Sequence, residues 1–410
     1  MIDLTLLFFI SGSIIVIGFL GNLAYEKAKI PDVLFLLGIG VLLGPVFKVV
    51  HPGHLTDFAG PFGTFALIVI LFEGGMDIKI RMLLKEFGNA TLLVFLSFML
   101  TVAGITLFLI NIMAWDLMRS LLLATILGCT SSAIVVPVLA KMTLGDDTKT
   151  VLFIESAMSD VLAIVLAVTL VEFIKFEAIG IEKPMRAIAS SFSIAIVLGT
   201  FSGFFWFKML SLIGDRKYSY MVTLGAMLIV TAVVEFLGGS GPIAILLFGI
   251  IIGNCEAMPF FSKQPHCILI DETIKFFHGE VTFFIRTFFF VYMGMIITAD
   301  VLEPHYLVVS SLIMLIIAAA RYVSVESMVR LTDKEKSDKA ALFYMLPRGL
   351  ASAVLASLPV SAGLKDSRDF ILYAVLIIIF SNIIMTSGVF LLERKRANDR
   401  DETTATPESS

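Results

Sequence analysis

Two carboxylates lie in the middle of an apolar segment, residues 151–171, that is long enough to cross a bilayer. A charge at the centre of a membrane helix costs about 2.5–3.5 kcal/mol on insertion scales, so the first interpretation of Glu155 and Asp160 is functional. On a helix, Asp160 shares one face with Ser156, and Glu155 shares the neighbouring face with Ser159. The spacing therefore places a carboxylate beside a hydroxyl twice. The alternative is interhelical hydrogen bonding with only a packing role.

Other apolar segments also contain charged residues, which are Glu73, Arg286, Arg321 and Arg348, with Glu235 near a helix end. Charges at this depth must pair with one another or face water. A pair between Glu155 and Arg348 would cancel two charges, and we predict it. Arg286 is interpreted as structural, with snorkelling to the interface as the alternative. Glu73 either lines an ion-access funnel or marks the membrane interface.

The composition is typical of a membrane protein. The chain has 410 residues, of which 58% are hydrophobic and 16% are charged, and its mean hydropathy is +0.97. Soluble domains are closer to a quarter charged. Apolar runs of about 20 residues recur from end to end, which predicts an all-α polytopic membrane protein.

Several functional classes find no support in the sequence. The cysteines and histidines have neither the spacing of a metal site nor that of a disulfide framework. The net charge of −4 does not indicate a nucleic-acid partner. No nucleophile–base set or cofactor motif supports an enzyme. The first apolar segment lacks a basic start and a small-residue cleavage site, so it is predicted to be a retained helix.

Thirteen transmembrane segments are predicted. They are Leu4–Ala24, Val33–Val50, Phe58–Met76, Ala90–Ile110, Leu121–Leu139, Val151–Val171, Ile188–Leu210, Tyr220–Leu237, Pro242–Cys255, Val281–Ile297, Tyr306–Val323, Ala340–Val360 and Phe370–Leu392. We predict one transmembrane domain over residues 1–396 and a disordered cytoplasmic tail over residues 397–410.

Lysine and arginine are divided unevenly between alternate connections. With the N-terminus outside, about 20 of these residues fall on the cytoplasmic side and about 7 on the outer side, which is a positive-inside bias. We therefore predict a multi-pass protein of the cell membrane with its N-terminus outside and its C-terminus in the cytoplasm.

This orientation gives the first six and the last six segments opposite topology, as in transporters built from inverted repeats. The fifth segment of each group is interrupted, by 128–132 (GCTSS) with Pro137 and by 347–349 (PRG). Proline frees the carbonyl four residues earlier, and unwound backbone at membrane depth survives only when it is buried or lines a cavity. Matched breaks predict an ion site near the midplane, and two ordinary proline kinks are the alternative.

These residues resemble the monovalent cation/proton antiporters of the NhaP and Na+/H+ exchanger type. The resemblance covers nearly all of the chain. Its most specific motifs are Glu155-Ser156-x-x-Ser159-Asp160, Pro347-Arg348-Gly349 and Ser240-Gly241-Pro242-Ile243-Ala244, supported by Leu71-Phe72-Glu73-Gly74-Gly75 and the phenylalanine-rich run to Gly294.

The resemblance implies an NhaA-like antiporter fold with two inverted six-helix repeats whose interrupted helices cross. It also implies a homodimer, in which a core of segments 4–6 and 11–13 moves against a dimerisation part of segments 1–3 and 7–10. By the same resemblance, Asp160 carries the ion and the proton and Ser156 is a ligand. Glu73 is an accessory group near the site, and Glu155 and Arg348 form a structural ion pair.

Two positions depart from the family pattern. Thr130-Ser131-Ser132 stands where the family often has Thr-Asp-Pro, and Ser159 stands where it often has asparagine. The Thr130 carbonyl and Ser131 can still coordinate a cation. The implied Na+ ligands are therefore Asp160, Ser156 and Thr130, with Ser131 and Ser159 beside them, and the preferred cation stays open.

The sequence thus predicts a secondary antiporter that exchanges Na+ or Li+ for H+, with one cation moved per proton. K+ is an alternative cation. An organic-anion symporter on the same inverted-repeat plan would need cationic groups facing the cavity, and Arg348 is already assigned a partner. A channel or sensor is the remaining alternative, and the lack of a sizeable soluble domain weakens the sensor interpretation.

Overall fold

The computed structural model describes residues 12–19, 32–47, 52–77, 89–142, 144–176, 182–213, 219–254, 266–296, 301, 303–332, 338–364 and 367–405, and they are helical with short connections and no strand. The helices are α1 (12–19), α2 (Asp32–Val41, continued by a π-helical turn, Leu42–Val46), α3 (Pro52–Asp77), α4 (Asn89–Met113), α5 (Leu117–Ile126), α6 (Ser132–Lys141), α7 (Asp146–Phe176), α8 (Glu182–Ile213), α9 (Ser219–Phe236), α10 (Gly241–Gly253), α11 (His266–Ile296), α12 (Pro304–Thr332), α13 (Lys339–Tyr344), α14 (Leu350–Ser361) and α15 (Arg368–Ala405).

Five helices among the described residues are long and apolar enough to cross a membrane, judged by length and composition. They contain Leu92–Met113, Asp147–Lys175, Ala189–Leu210, Pro304–Leu331 and Arg368–Arg394. Shorter apolar helices include α5, α10 and α14. The all-helical membrane class is confirmed, whereas thirteen crossings and the inverted repeat stay predictions.

Both predicted interruptions are present, but the cause of the first differs from the prediction. The backbone leaves the helix between α5 and α6, over residues 127–131, and Pro137 lies inside the continuous helix α6. The second break, over residues 345–349, separates α13 from α14 and contains Pro347. The first break therefore comes from the Gly128–Ser131 stretch, where small polar side chains favour local hydrogen bonds over helix continuation.

Helices α2, α3, α8, α10 and α11 pack with their backbones close together. Helix α10 lies against α3 and α8, and α11 lies against α2 and α3. A Cβ placed on Gly40 would lie 2.2 Å from the carbonyl oxygen of Val291, and one on Gly249 would lie 2.5 Å from that of Phe72. Small residues at such crossings are a usual basis of helix association in membranes.

A second group of contacts surrounds the two breaks. Helix α4 packs on α5, α7 and α12, and α15 packs on α12 and α14. Helix α14 also contacts α3, so the broken helices touch both groups. The division into a moving core and a dimerisation part stays a prediction.

The C-terminal tail corrects one expectation. Helix α15 runs on to Ala405, so residues 397–405 are helical where disorder was predicted. Residues 406–410 lie outside the described part of the chain.

Candidate ion site

The two breaks contact each other. The backbone N–H of Ser131 donates to the carbonyl of Pro347 at 2.8 Å. A Cβ on Gly349 would lie 2.3 Å from Ser131 Oγ, so position 349 has no room for a side chain. The unwound segments therefore satisfy part of each other's backbone, which is the condition for irregular structure at membrane depth.

Asp160 is held at the first break through one oxygen. Its Oδ2 accepts from the backbone N–H of Ser132 at 3.1 Å and from Ser132 Oγ at 2.7 Å. Ser132 is the first residue of α6, so the carboxylate lies at the positive end of a helix dipole. Asp160 Oδ1 is buried and has no hydrogen-bond partner among the described residues. One oxygen is thus fixed, and the other is available to a cation or a proton.

The remaining predicted ligands on α7 form a tight polar cluster. Ser159 Oγ accepts from the N–H of Thr130 at 3.0 Å and donates to the Ser156 carbonyl at 3.1 Å. Ser156 Oγ donates to the Phe153 carbonyl at 3.0 Å. These hydrogen bonds therefore hold the first break against α7, the helix that carries Asp160.

Glu155 has a different partner from the predicted one. Arg321 of α12 places Nη1 3.0 Å from Glu155 Oε1, and the two side chains are 2% and 1% exposed. Thr130 Oγ1 also donates to Oε1 at 3.0 Å. The predicted pair between Glu155 and Arg348 is therefore wrong, because α12 supplies the counter-charge.

Arg348 instead donates hydrogen bonds to backbone carbonyl groups. Its Nε donates to the Leu127 carbonyl at 3.0 Å, and its Nη1 donates to the Leu346 carbonyl at 2.7 Å. These carbonyls lie just beyond the ends of α5 and α13, where helices leave unsatisfied acceptors and carry partial negative charge. Because these carbonyls already stabilise the positive charge of Arg348, its guanidinium needs no carboxylate partner. This explains why Arg348 does not pair with Glu155.

A cavity of about 280 Å³ reaches Asp160. Its charged lining residues are Glu73, Asp77, Asp160 and Arg286, and Ser131, Ser132 and Thr282 also line it. Thr282 Oγ1 donates to Glu73 Oε2 at 2.6 Å. The structure therefore brings Glu73 to the same cavity as Asp160, as an access funnel requires, and it adds Arg286, which sequence reasoning had kept apart from the site.

Three lining residues were not identified as site residues from the sequence. Ser132 is the first residue of α6, and its backbone N–H is therefore free to bind a carboxylate, which is a signal that the sequence does contain. Thr282 and Asp77 gave no separate signal, because an apolar segment contains many such hydroxyls and helix ends contain many such acids.

The chain is similar to several known proteins. A family model described as "Sodium/hydrogen exchanger, transmembrane" matches residues 12–394. The K(+)/H(+) antiporter NhaP2 of Shewanella baltica (strain OS223) is 25% identical over 381 residues, which cover 89% of this chain and 62% of that protein. The chain thus spans less than two thirds of that relative's length.

Two further comparisons involve Methanocaldococcus jannaschii. Its Na(+)/H(+) antiporter 1 is 25% identical over 360 residues, which cover 84% of this chain and 81% of that protein. The solved structure of its sodium proton antiporter MjNhaP1 at pH 8 matches with a TM-score of 0.78 and 21% identity, over 95% of this chain and 98% of that chain. This structural similarity shows that the chain has the same fold as that protein.

Proposed function

The chain belongs to the sodium/hydrogen exchanger family, and we propose that it is a secondary antiporter that exchanges a monovalent cation for a proton across the cell membrane. The observation that carries the proposal is the buried Asp160 Oδ1, which has no hydrogen-bond partner among the described residues and belongs to a residue that lines a cavity. An intramembrane carboxylate in this setting needs a neutralising ligand.

Cation and proton compete for the same carboxylate in the proposed cycle. Either ligand neutralises Asp160, and a neutral site crosses the low-dielectric barrier far more easily than a charged one. Ser156, Ser159, Thr130 and Ser131 would supply further oxygens or hold the break around the ion. Because the two ligands exclude each other, each crossing carries one or the other, which couples their movements.

Alternating access is supported by a second cavity at the other end of the same helices. It has a volume of about 520 Å³, and Leu67 of α3, Val168 of α7 and Leu358 of α14 line it. The first cavity ends at Ile70 on α3 and Ile164 on α7. Leu67 and Ile70 are three residues apart and Ile164 and Val168 are four residues apart. Since three to four residues of α-helix span about 5–6 Å, about one helical turn of apolar side chains separates the two cavities along α3 and α7.

The proposed cation is Na+ or Li+, with K+ as the alternative. The similar proteins are named for Na+ in one case and for K+ in another. Purified protein in vesicles with an imposed pH gradient should dissipate that gradient when its preferred cation is added. The measurement uses Na+, Li+ and K+ in turn, with protein-free vesicles as the control. A gradient that survives all three cations would contradict the proposed antiport.

We also propose that exchange is electroneutral, with one cation moved per proton. The negative charge of Glu155 is balanced by the positive charge of Arg321. Ser131 stands where the family often has a second acid. Asp160 is therefore the carboxylate that must be neutralised once per crossing. One net charge per cycle would take about 2.3 kcal/mol per 100 mV from the membrane potential. In vesicles without ion or pH gradients, an imposed potential should therefore drive no cation uptake.

The orientation and the homodimer are proposed on the charge bias and the family pattern. In a variant with its native cysteines replaced, Lys336→Cys should be labelled from the cytoplasmic side and Lys183→Cys from the outside. The reverse pattern would overturn the charge count. The mass of the protein in detergent, measured by light scattering, should be twice that of the monomer.

A further inference from the structure

Two side chains of α15 hold the backbone of the second break. Ser381 Oγ accepts from the N–H of Arg348 at 3.0 Å, and Asn382 Nδ2 donates to the carbonyl of Arg348 at 2.8 Å. Both side chains are fully buried. Two neighbouring residues of one helix therefore bind both backbone polar groups of position 348.

The same two side chains are anchored on α15 itself. Ser381 Oγ donates to the Ile378 carbonyl at 3.1 Å, and Asn382 Nδ2 donates to that carbonyl at 2.8 Å. A serine hydroxyl has one proton and an asparagine nitrogen has two. The hydroxyl of Ser381 can therefore only accept from Arg348, and Asn382 has one proton left for the Arg348 carbonyl.

One peptide group joins this arrangement to the first break. The N–H of Arg348 and the carbonyl of Pro347 belong to the same planar peptide group. That carbonyl accepts from the N–H of Ser131 at 2.8 Å. The next residue, Ser132, binds Asp160 Oδ2 through its N–H and its Oγ. An unbroken series of hydrogen bonds and covalent bonds thus runs from α15 to the ion site.

We propose that Ser381 and Asn382 are positioning residues that set the cation affinity of the Asp160 site, by fixing the peptide group between Pro347 and Arg348. The inference rests on the proposed antiport. An unwound segment lacks the regular hydrogen bonds of a helix, so its position depends on bonds from neighbouring elements. Neither Ser381 nor Asn382 touches the ion in this account.

The consequence of removing the Ser381 hydroxyl follows from this geometry. The N–H of Arg348 would lose its acceptor, and the peptide group would be free to turn away from Ser131. The first break would then hold its oxygens less precisely around a cation. Because the loss is that of about one buried hydrogen bond, the apparent KM for the cation should rise by about tenfold, which corresponds to about 1.4 kcal/mol.

The first test measures exchange by variants in vesicles, against the concentration of whichever of Na+, Li+ and K+ the unaltered protein exchanges. Ser381→Ala and Asn382→Ala should each raise the KM by about tenfold. The double variant should raise it by less than the product, because both residues act on one segment. Ser381→Thr keeps the hydroxyl and should keep the KM. Thr386→Val is the matched control, since the Thr386 hydroxyl binds the Asn382 carbonyl one turn further along α15.

The second test uses the unaltered protein, so it does not depend on the folding of any variant. Amide hydrogen exchange is followed by mass spectrometry in that cation and in choline at equal ionic strength. Because the two breaks share one peptide group, the cation should slow exchange over residues 345–349 as well as over residues 128–132.

The outcomes separate positioning from stability. A smaller folded fraction lowers the maximal rate without changing the KM, so Ser381→Ala with an unchanged KM would overturn the proposal. A KM raised equally in Thr386→Val would overturn it as well. If Ser381→Ala does not fold, hydrogen exchange decides, and protection of residues 128–132 alone would contradict the shared peptide group. An unaltered protein that exchanges none of the three cations would instead refute the antiport on which the proposal rests.

Discussion

Opposite charges lie at the two helix breaks, and their hydrogen bonds differ: Asp160 of α7 contacts the first break, and Arg348 belongs to the second. At the first break, Asp160 faces the start of α6, and one of its two oxygens has no hydrogen-bond partner among the described residues. At the second break, Arg348 faces the ends of α5 and α13, and its donors are taken up by two backbone carbonyls. Each charge thus lies at the helix end that its sign favours.

This difference indicates that Asp160 binds the transported ligands, whereas Arg348 stabilises the structure. A carboxylate with an open oxygen beside a cavity can exchange ligands without breaking the fold. A guanidinium whose donors are committed to buried carbonyls cannot leave without stranding them. We therefore expect changes at Asp160 to act on transport, and changes at Arg348 to act on stability.

The largest effect is expected at Asp160. Asp160→Asn keeps the shape of the side chain and one oxygen that can accept from Ser132, but it removes the negative charge that binds either ligand. Cation-driven proton movement should fall to the level of protein-free vesicles, while thermal unfolding in detergent stays close to that of the unaltered protein. Near-normal exchange in Asp160→Asn would remove the basis of the contrast between the two breaks.

The next effect in size concerns the ion pair that supports the first break. Glu155→Ala or Arg321→Ala each leaves a buried charge without its partner, which costs on the order of 3–5 kcal/mol. The double variant should recover part of that loss in a thermal-unfolding cycle. A parallel cycle with Glu155→Ala and Arg348→Ala provides the control, because these two residues do not pair. Coupling in the control cycle alone would reverse the assignment.

The sequence predicted the features that depend on local chemistry. Glycine and proline act on their own stretch of backbone, so the breaks around 128–132 and 347–349 could be located in advance. The spacing of Ser156 and Asp160 fixed their shared helix face in the same way.

The partners of the charges could not be predicted, because they depend on which helices touch. Arg321 and Arg348 both lie in apolar segments, and the sequence around each of them does not indicate which one contacts Glu155. The choice follows from the position of α12 beside the first break and from the carbonyls that already occupy Arg348. The position of Arg286 beside the Asp160 cavity could not be predicted for the same reason, since that cavity forms between α3, α7 and α11.

A smaller effect is expected at the second break. Arg348→Met keeps much of the side-chain volume but leaves the Leu127 and Leu346 carbonyls without donors. Unsatisfied buried acceptors of this kind should lower the stability by about 2–3 kcal/mol. Thermal unfolding measures the loss, and the fraction of variant that remains folded should still exchange ions. Full stability together with lost exchange would instead place Arg348 in the transport site.

The smallest effect is expected from the hydroxyl that orients Asp160. Ser132→Ala removes the 2.7 Å contact with Oδ2 but leaves the backbone N–H at 3.1 Å, so the carboxylate keeps its place at the helix end with one donor fewer. A hydrogen bond to a charged group contributes about 1.5 kcal/mol at the lower end, which corresponds to roughly a tenfold change in an equilibrium constant. The apparent KM for the cation should therefore change by up to tenfold, with thermal stability almost unchanged. Ser132→Thr keeps the hydroxyl and is the matched control. If Ser132→Ala lowered the stability as much as Arg348→Met does and left the KM unchanged, the first break would be a scaffold like the second one.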